Sequence, residues 1–152
     1  MQMGKEIEQK ESLEKEILRI ELESLSKNEE FARVAVAVFV SRLDPTMEEI
    51  DDVKTAVSEA VTNAVIHGYQ GKKGIIYIEV AVMGQEVTVT IKDEGVGIVD
   101  IEKAMEPMFT TDMTGERSGM GFSFMEAFMD EVQVISAPGE GTQITMKKRI
   151  GR

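Results

Sequence analysis

Several residues in this chain have types and spacings that can do chemistry. Glu59 and Asn63 stand four apart in "SEAVTNAVIHG", so on a helix they share a face. A carboxylate there can take a proton from an attacking hydroxyl or water. An amide oxygen can ligate magnesium, a hard cation. Asp93 closes the alternating run in "VTVTIKDEGVGI". Its carboxylate can accept from the exocyclic amine of adenine, and Gly95 and Gly97 let backbone approach a flat base. In "GERSGMGF" Gly119 and Gly121 precede or open a helix. Free amides at such a point can hold phosphate, and Arg117 or Ser118 can add contacts. Thr110 to Gly115 is polar and glycine-containing, which suits a mobile lid. Gly141-Thr142 opens a strand. Taken singly, each feature has an ordinary reading as well: a solvated helix face, a β-turn, a glycine-rich loop, a hairpin turn.

The elements that must position these residues are legible from periodicity. "ILRIEL" at 17–22 alternates Leu18, Ile20 and Leu22 onto one face, which predicts a strand. Ser26 with Glu29 reads as a capping box that opens a helix through about Leu43, where Asp44-Pro45 breaks it. Thr46 with Glu49 is a second capping box. The helix it opens carries an apolar stripe of Ile50, Val53, Val57, Val61 and Ala64 and ends at Gly68. Strands are expected at 74–82 and 86–92 around a glycine-containing turn, Met83-Gly84-Gln85. A short helix near 100–106, an irregular stretch at 107–121, the helix "FSFMEAFMDE" and a closing hairpin, "VQVIS" and "TQITMKKR", follow. This order predicts an α/β (α+β) sandwich with a single mixed, mostly antiparallel sheet and helices packed on one face.

Composition limits the possibilities. The chain has 152 residues, 42% hydrophobic and 30% charged, enough for one domain with a real core. Residues 1–16 read as a charged extension and 17–152 as the domain. The net charge of −11 argues against nucleic acid as a direct partner. No apolar run reaches the length of a membrane span and no signal peptide is visible. The absence of cysteine fits a reducing cytoplasm. The single histidine, His67, excludes a metal site built on several histidines. It is read as a structural residue at a helix end.

The order of the motifs is more telling than any one of them. E-x-x-x-N on a helix, D-x-G-x-G after a strand, G-x-G before a helix and G-T before a strand resemble the ATP-binding superfamily of gyrase, a heat-shock chaperone, histidine kinases and MutL (GHKL), over about residues 17–149. "NEEFARVAV", "LDPTMEEI", "VSEAVTNAVIHGY", "IKDEGVGI", "ERSGMGF" and "MEAFMDEV" resemble the family of bacterial sporulation anti-sigma F factors, which are serine kinases of an anti-anti-sigma partner. The resemblance implies ATP or ADP with Mg2+ as cofactors. It implies Glu59 as the base that activates a partner serine, Asn63 as the magnesium ligand and Asp93 as the adenine reader. Gly95 and Gly97 would line the pocket. Gly119 and Gly121 would approach the phosphates beneath the lid that contains Thr110, with Arg117 and Ser118 beside them, and Thr142 would support the adenine end. Arg33 would sit on the surface shared by the sporulation sigma factor and the anti-anti-sigma factor. Members are homodimers, and the first strand and helix form much of that surface.

Two features depart from the pattern. Asp112 stands after "FTT" where the family often has lysine, and the N-terminal extension is longer than expected. Three other readings share parts of these motifs: a general-stress anti-sigma kinase, a nucleotide-regulated binding module without kinase activity, and an ATPase machine of the gyrase or chaperone kind. The last lacks its transducer and dimerisation domains in this sequence. A self-phosphorylating histidine kinase is disfavoured, since no histidine other than His67 is present.

Overall fold

The computed structural model describes residues 14–106 and 120–151. Strand β1 (Lys15–Glu23) leads into helix α1 (Asn28–Val40), helix α2 (Met47–Thr62) and the hairpin β2 (Ile75–Met83) and β3 (Glu86–Asp93). A single-turn helix, α3 (Ile101–Ala104), helix α4 (Met120–Phe128) and the hairpin β4 (Glu131–Ser136) and β5 (Thr142–Arg149) complete the described chain. The strands form one sheet in the order β1-β2-β3-β5-β4. The α/β architecture is as expected. Among the described residues its sheet is not mixed, however: every pairing is antiparallel.

Register explains the core. Val87, Val89 and Ile91 of β3 lie opposite Val82, Val80 and Ile78 of β2, and Val89 and Ile91 also lie opposite Met146 and Ile144 of β5. Leu18, Ile20 and Leu22 continue the rows onto β1. One face of the sheet is therefore apolar, and the stripe of α2 (Val53, Val57, Val61) is buried with it. Each such side chain contributes roughly 1.5–3 kcal/mol by leaving water. The opposite face carries Arg19, Glu79, Thr90 and Lys92, with Arg19 Nε 3.0 Å from Glu79. Two-residue turn geometry joins β2 to β3: Met83 pairs with Glu86, and Gly84 takes φ 62° at the first turn position.

The two expected capping boxes differ in outcome. At Thr46 both halves form: Glu49 N donates to Thr46 Oγ1 at 3.0 Å and Thr46 N donates to Glu49 Oε1 at 2.9 Å. Glu49 Oε2 also accepts from Gly151 N at 2.9 Å, and these backbone donors hold its carboxyl below the usual range. At Ser26 the box does not form. Helix α1 starts at Asn28 without a side-chain cap, and Ser26 contributes only its carbonyl, to Glu29 N. The Glu29 carboxylate turns instead toward α2, where it accepts from Ser58 Oγ at 3.2 Å. Nor does α1 stay α-helical to Leu43. It tightens to a 3₁₀ turn over Ser41–Leu43, and Asp44, ahead of Pro45, takes the left-handed region at φ 60°.

Candidate functional site

Asp93 occupies a core position. It follows Val87, Val89 and Ile91 by the strand's period of two, so its side chain lies on the apolar face and is only 2% exposed. Burial raises its carboxyl pKa, and the backbone N–H groups of Gly95 and Thr142 act against that rise. Gly95 N donates to Asp93 Oδ1 at 2.9 Å. A buried carboxylate is costly unless its oxygens find donors. It is therefore a poor choice for stability alone.

Three backbone segments close around this carboxylate. A π-helical turn, Asn63–Gly68, extends α2, and Tyr69 N donates to Ala64 O at 2.8 Å to end it. Such wide turns are frequent at functional sites. The turn delivers Gly68 against Asp93, where an added Cβ would stand 2.7 Å from the carboxylate. Gly95 packs on Gly68: a Cβ would fall 2.0 Å from the Gly68 carbonyl oxygen, to which Val96 N donates. Gly97, at φ 76°, would meet the Ala137 carbonyl of the β4–β5 turn. The close approach visible at Gly95 and Gly97 is thus to the protein's own backbone. From the other side Gly141, at φ 78°, would place a Cβ 2.1 Å from the Asp93 carbonyl oxygen.

Thr142 is paired with Asp93 across β3 and β5 and is 4% exposed. Glu59 and Asn63 are half-buried, one turn apart at the end of α2. A Cβ on Gly121 would lie 3.5 Å from Glu59 Oε2, so the Glu59 carboxylate faces the first turn of α4. One continuous helical path therefore carries Glu59, Asn63 and Gly68, and Gly68 touches Asp93. Arg33 lies elsewhere, on α1, half-exposed, with Nε 3.6 Å from Glu29. Glu29 joins it to the main site through Ser58, the neighbour of Glu59. His67 Nε2, in the π-helical turn, is buried and makes no hydrogen bond. Thr110, Asp112, Arg117, Ser118 and Gly119, and with them the expected lid, lie outside the described residues.

Three contributors were not foreseen. Periodicity marks Gly68 only as a helix stop. Tyr69 was given no role, yet its hydroxyl accepts from Glu94 N at 2.8 Å and donates to the Ile75 carbonyl, which anchors the start of the Asp93 loop. The alternation in "VQVIS" marks Ser136 only as plain strand. Its parity with Val132 and Val134, opposite Met146 and Ile144, marks an inward polar residue at a strand end, the same signal that Asp93 carries.

Chemically, the Asp93 end offers a dry acceptor suited to an amine, and the Glu59 end offers a carboxylate beside a glycine at a helix start. Among the described residues no cluster of three or more His, Cys, Asp or Glu side chains could hold a metal. Magnesium does not require one. It keeps several waters and binds substrate phosphates, so a single side-chain ligand such as Asn63 fits its chemistry.

The histidine kinase-like ATPase domain, as a family, matches residues 22–148. The anti-sigma F factor of Thermoanaerobacter sp. (strain X514) is 59% identical over 128 residues, covering 84% of this chain and 90% of that protein. The chain belongs to the anti-sigma F factor family. Other anti-sigma F factors agree. That of Clostridium acetobutylicum is 58% identical over 86% of this chain and 93% of its own length. That of Caldanaerobacter subterraneus is 54% identical over 90% and 95%. Among solved structures, one of the RsbU and RsbW domains of a Mycobacterium tuberculosis protein has a TM-score of 0.64 at 23% identity, covering 90% of this chain and 32% of that one. The catalytic domain of histidine kinase ThkA, in a nucleotide-free form, has a TM-score of 0.53 at 18% identity, over 89% and 96%. These two likenesses concern the fold. For an anti-sigma F factor, the fold is thus a nucleotide-binding one, and no helix among the described residues is long and apolar enough to cross a membrane.

Proposed function

We propose that this anti-sigma F factor binds and inhibits a sporulation sigma factor in the cytoplasm and uses Mg-ATP to phosphorylate its anti-anti-sigma factor on serine. The observation that carries the nucleotide half is the buried Asp93 carboxylate, held at the end of β3 by Gly68, Gly95 and Gly141. In this reading Asp93 accepts from the adenine amine, and Thr142, beside it in the sheet, supports the base. Gly121 lets the phosphate end come close to α4, together with Gly119, Ser118, Arg117 and Thr110. Asn63 holds the cation. Mg-ATP, when bound there, would supply the phosphoryl group with ADP as the leaving group, and its metal would offset the charge that develops during transfer. Glu59 orients the serine hydroxyl of the partner and takes its proton, the role for which a carboxylate facing the α4 helix start is suited.

The partner half rests on β1 and α1. Phe31, 57% exposed, and Val38, 64% exposed, line a groove together with Leu18, Ile20 and Ala35. Exposed apolar area of this kind suits a protein interface. We assign it to the homodimer and to the sigma and anti-anti-sigma factors, and assign Arg33, which lies on the other side of α1 beside Glu29, to a separate partner contact. With nucleotide bound, the dimer holds the sigma factor inactive. Unphosphorylated anti-anti-sigma factor releases it, and phosphorylation restores inhibition.

The test is incubation with γ-labelled ATP, magnesium and the purified anti-anti-sigma factor. Label on a serine of that partner is expected. Tight nucleotide and sigma-factor binding with no transfer would replace this reading with a binding module that has no kinase activity.

A further inference from the structure

We infer that Ser136 is a positioning residue for nucleotide recognition: it forces the Thr142 hydroxyl to present itself to the base as an acceptor only. The inference rests on the nucleotide reading of the Asp93 site and adds to it the residue that fixes the polarity of Thr142.

The protons at Ser136 can be counted. Ser136 Oγ takes part in three hydrogen bonds. Ile98 N donates to it at 2.8 Å. Ser136 Oγ lies 2.8 Å from the Gly141 carbonyl oxygen and 2.9 Å from Thr142 Oγ1. A serine hydroxyl has one hydrogen and two acceptor lone pairs. The Gly141 carbonyl has no hydrogen and can only accept, so the serine proton goes there. Ile98 N–H fills one lone pair. The remaining contact is then satisfied only if Thr142 donates to Ser136. With its single proton committed, Thr142 Oγ1 has only lone pairs left for anything that reaches it.

Asp93 is paired directly with Thr142, and its ionised carboxylate is likewise acceptor-only. The wall of the site therefore offers acceptors from both residues. A 6-amino group, with two N–H donors, satisfies such a wall. A 6-keto group places an acceptor against acceptors, and a site built for a donor strongly rejects an analogue that lacks it. Ser136 is the point where this polarity is set. It joins the three segments of the site: β4, the loop after β3 through Ile98, and the start of β5.

The experiment compares ADP with inosine diphosphate, which has a keto group in place of the 6-amino group, by titration calorimetry on the full chain. Wild type is expected to bind ADP much more tightly. Ser136→Ala frees the Thr142 proton to turn toward a keto oxygen, so the ADP-to-IDP affinity ratio is expected to fall by roughly tenfold or more. Ser136→Thr, which keeps a hydroxyl, is expected to restore it. Thr142→Val removes the hydroxyl while retaining the shape and should lower the ratio even if Ser136→Ala folds poorly. In the double variant the ratio should be no lower than in Thr142→Val alone, because Ser136 acts through Thr142. A ratio unchanged in Ser136→Ala, equal weakening of both nucleotides, or additive effects in the double variant would overturn the inference and leave the nucleotide reading standing. Wild type that binds neither nucleotide would overturn both.

Discussion

The α-carbon of Gly68 lies so close to the Asp93 carboxylate that a methyl group there would stand 2.7 Å from Asp93 Cγ and Oδ1. The contact links the end of the α2 path, which carries Glu59 and Asn63, to the end of β3. It is also the contact most sensitive to a minimal change. Gly68→Ala must move either the carboxylate or the helix end. We expect ADP affinity to fall by about 10- to 100-fold, the worth of one charge-assisted hydrogen bond. Calorimetry would measure this, with circular dichroism to confirm that the sheet persists.

Asp93→Asn separates stability from binding. Burial raises the Asp93 pKa above its ordinary 3.8 in the folded state. The folded protein therefore binds the proton more tightly than the unfolded chain does, and this group costs stability as pH rises from the ordinary value through the raised one. The asparagine variant escapes that cost. Its melting temperature should match wild type near the acid end of that window and exceed it by a few degrees at about pH 7. ADP binding should be lost over the same range. A variant less stable than wild type at neutral pH would show that the carboxylate is structural.

Much of this arrangement was legible in the sequence, and the reasons are particular. Asp93 could be found because it follows an alternating strand and opens the D-x-G-x-G spacing, while its burial shows only once the strand is seen to run on through it. The Thr46 capping box formed because Glu49 has no stronger claim on its first oxygen than Thr46 N. The Ser26 box failed because the helix starts one residue later than that box requires, with Lys27 at the cap, and the Glu29 carboxylate turns to Ser58 on a helix distant in sequence. Gly68 was misjudged for a similar reason. Its neighbour Asp93 arrives only when β3 is laid beside α2, and no local pattern announces that. Ser136 carried the same parity signal as Asp93, but strand periodicity alone does not say which inward polar residue will meet a loop amide.

Arg33 tests the partner surface independently of the nucleotide. Its Nε is buried without a hydrogen bond, and its 3.6 Å pairing with Glu29 is partly solvated. Such surface pairs contribute little to stability. Arg33→Ala is therefore expected to change folding stability by no more than about 0.5 kcal/mol and to leave ADP affinity intact. Affinity for the sigma factor and for the anti-anti-sigma factor should fall at least about tenfold, as at an interface anchor. Surface plasmon resonance with each partner would measure it. Unchanged affinity for both would remove Arg33 from the interface.

The most direct test of the central claim is a comparison of wild type with Glu59→Gln, measuring ATP affinity by calorimetry and label transfer to the anti-anti-sigma serine in parallel. The substitution keeps the size of the side chain facing Gly121 and removes its basicity. ATP affinity within about threefold of wild type is expected, with transfer slowed by at least roughly 100-fold, the usual worth of a general base. Transfer at the wild-type rate by Glu59→Gln would contradict that role.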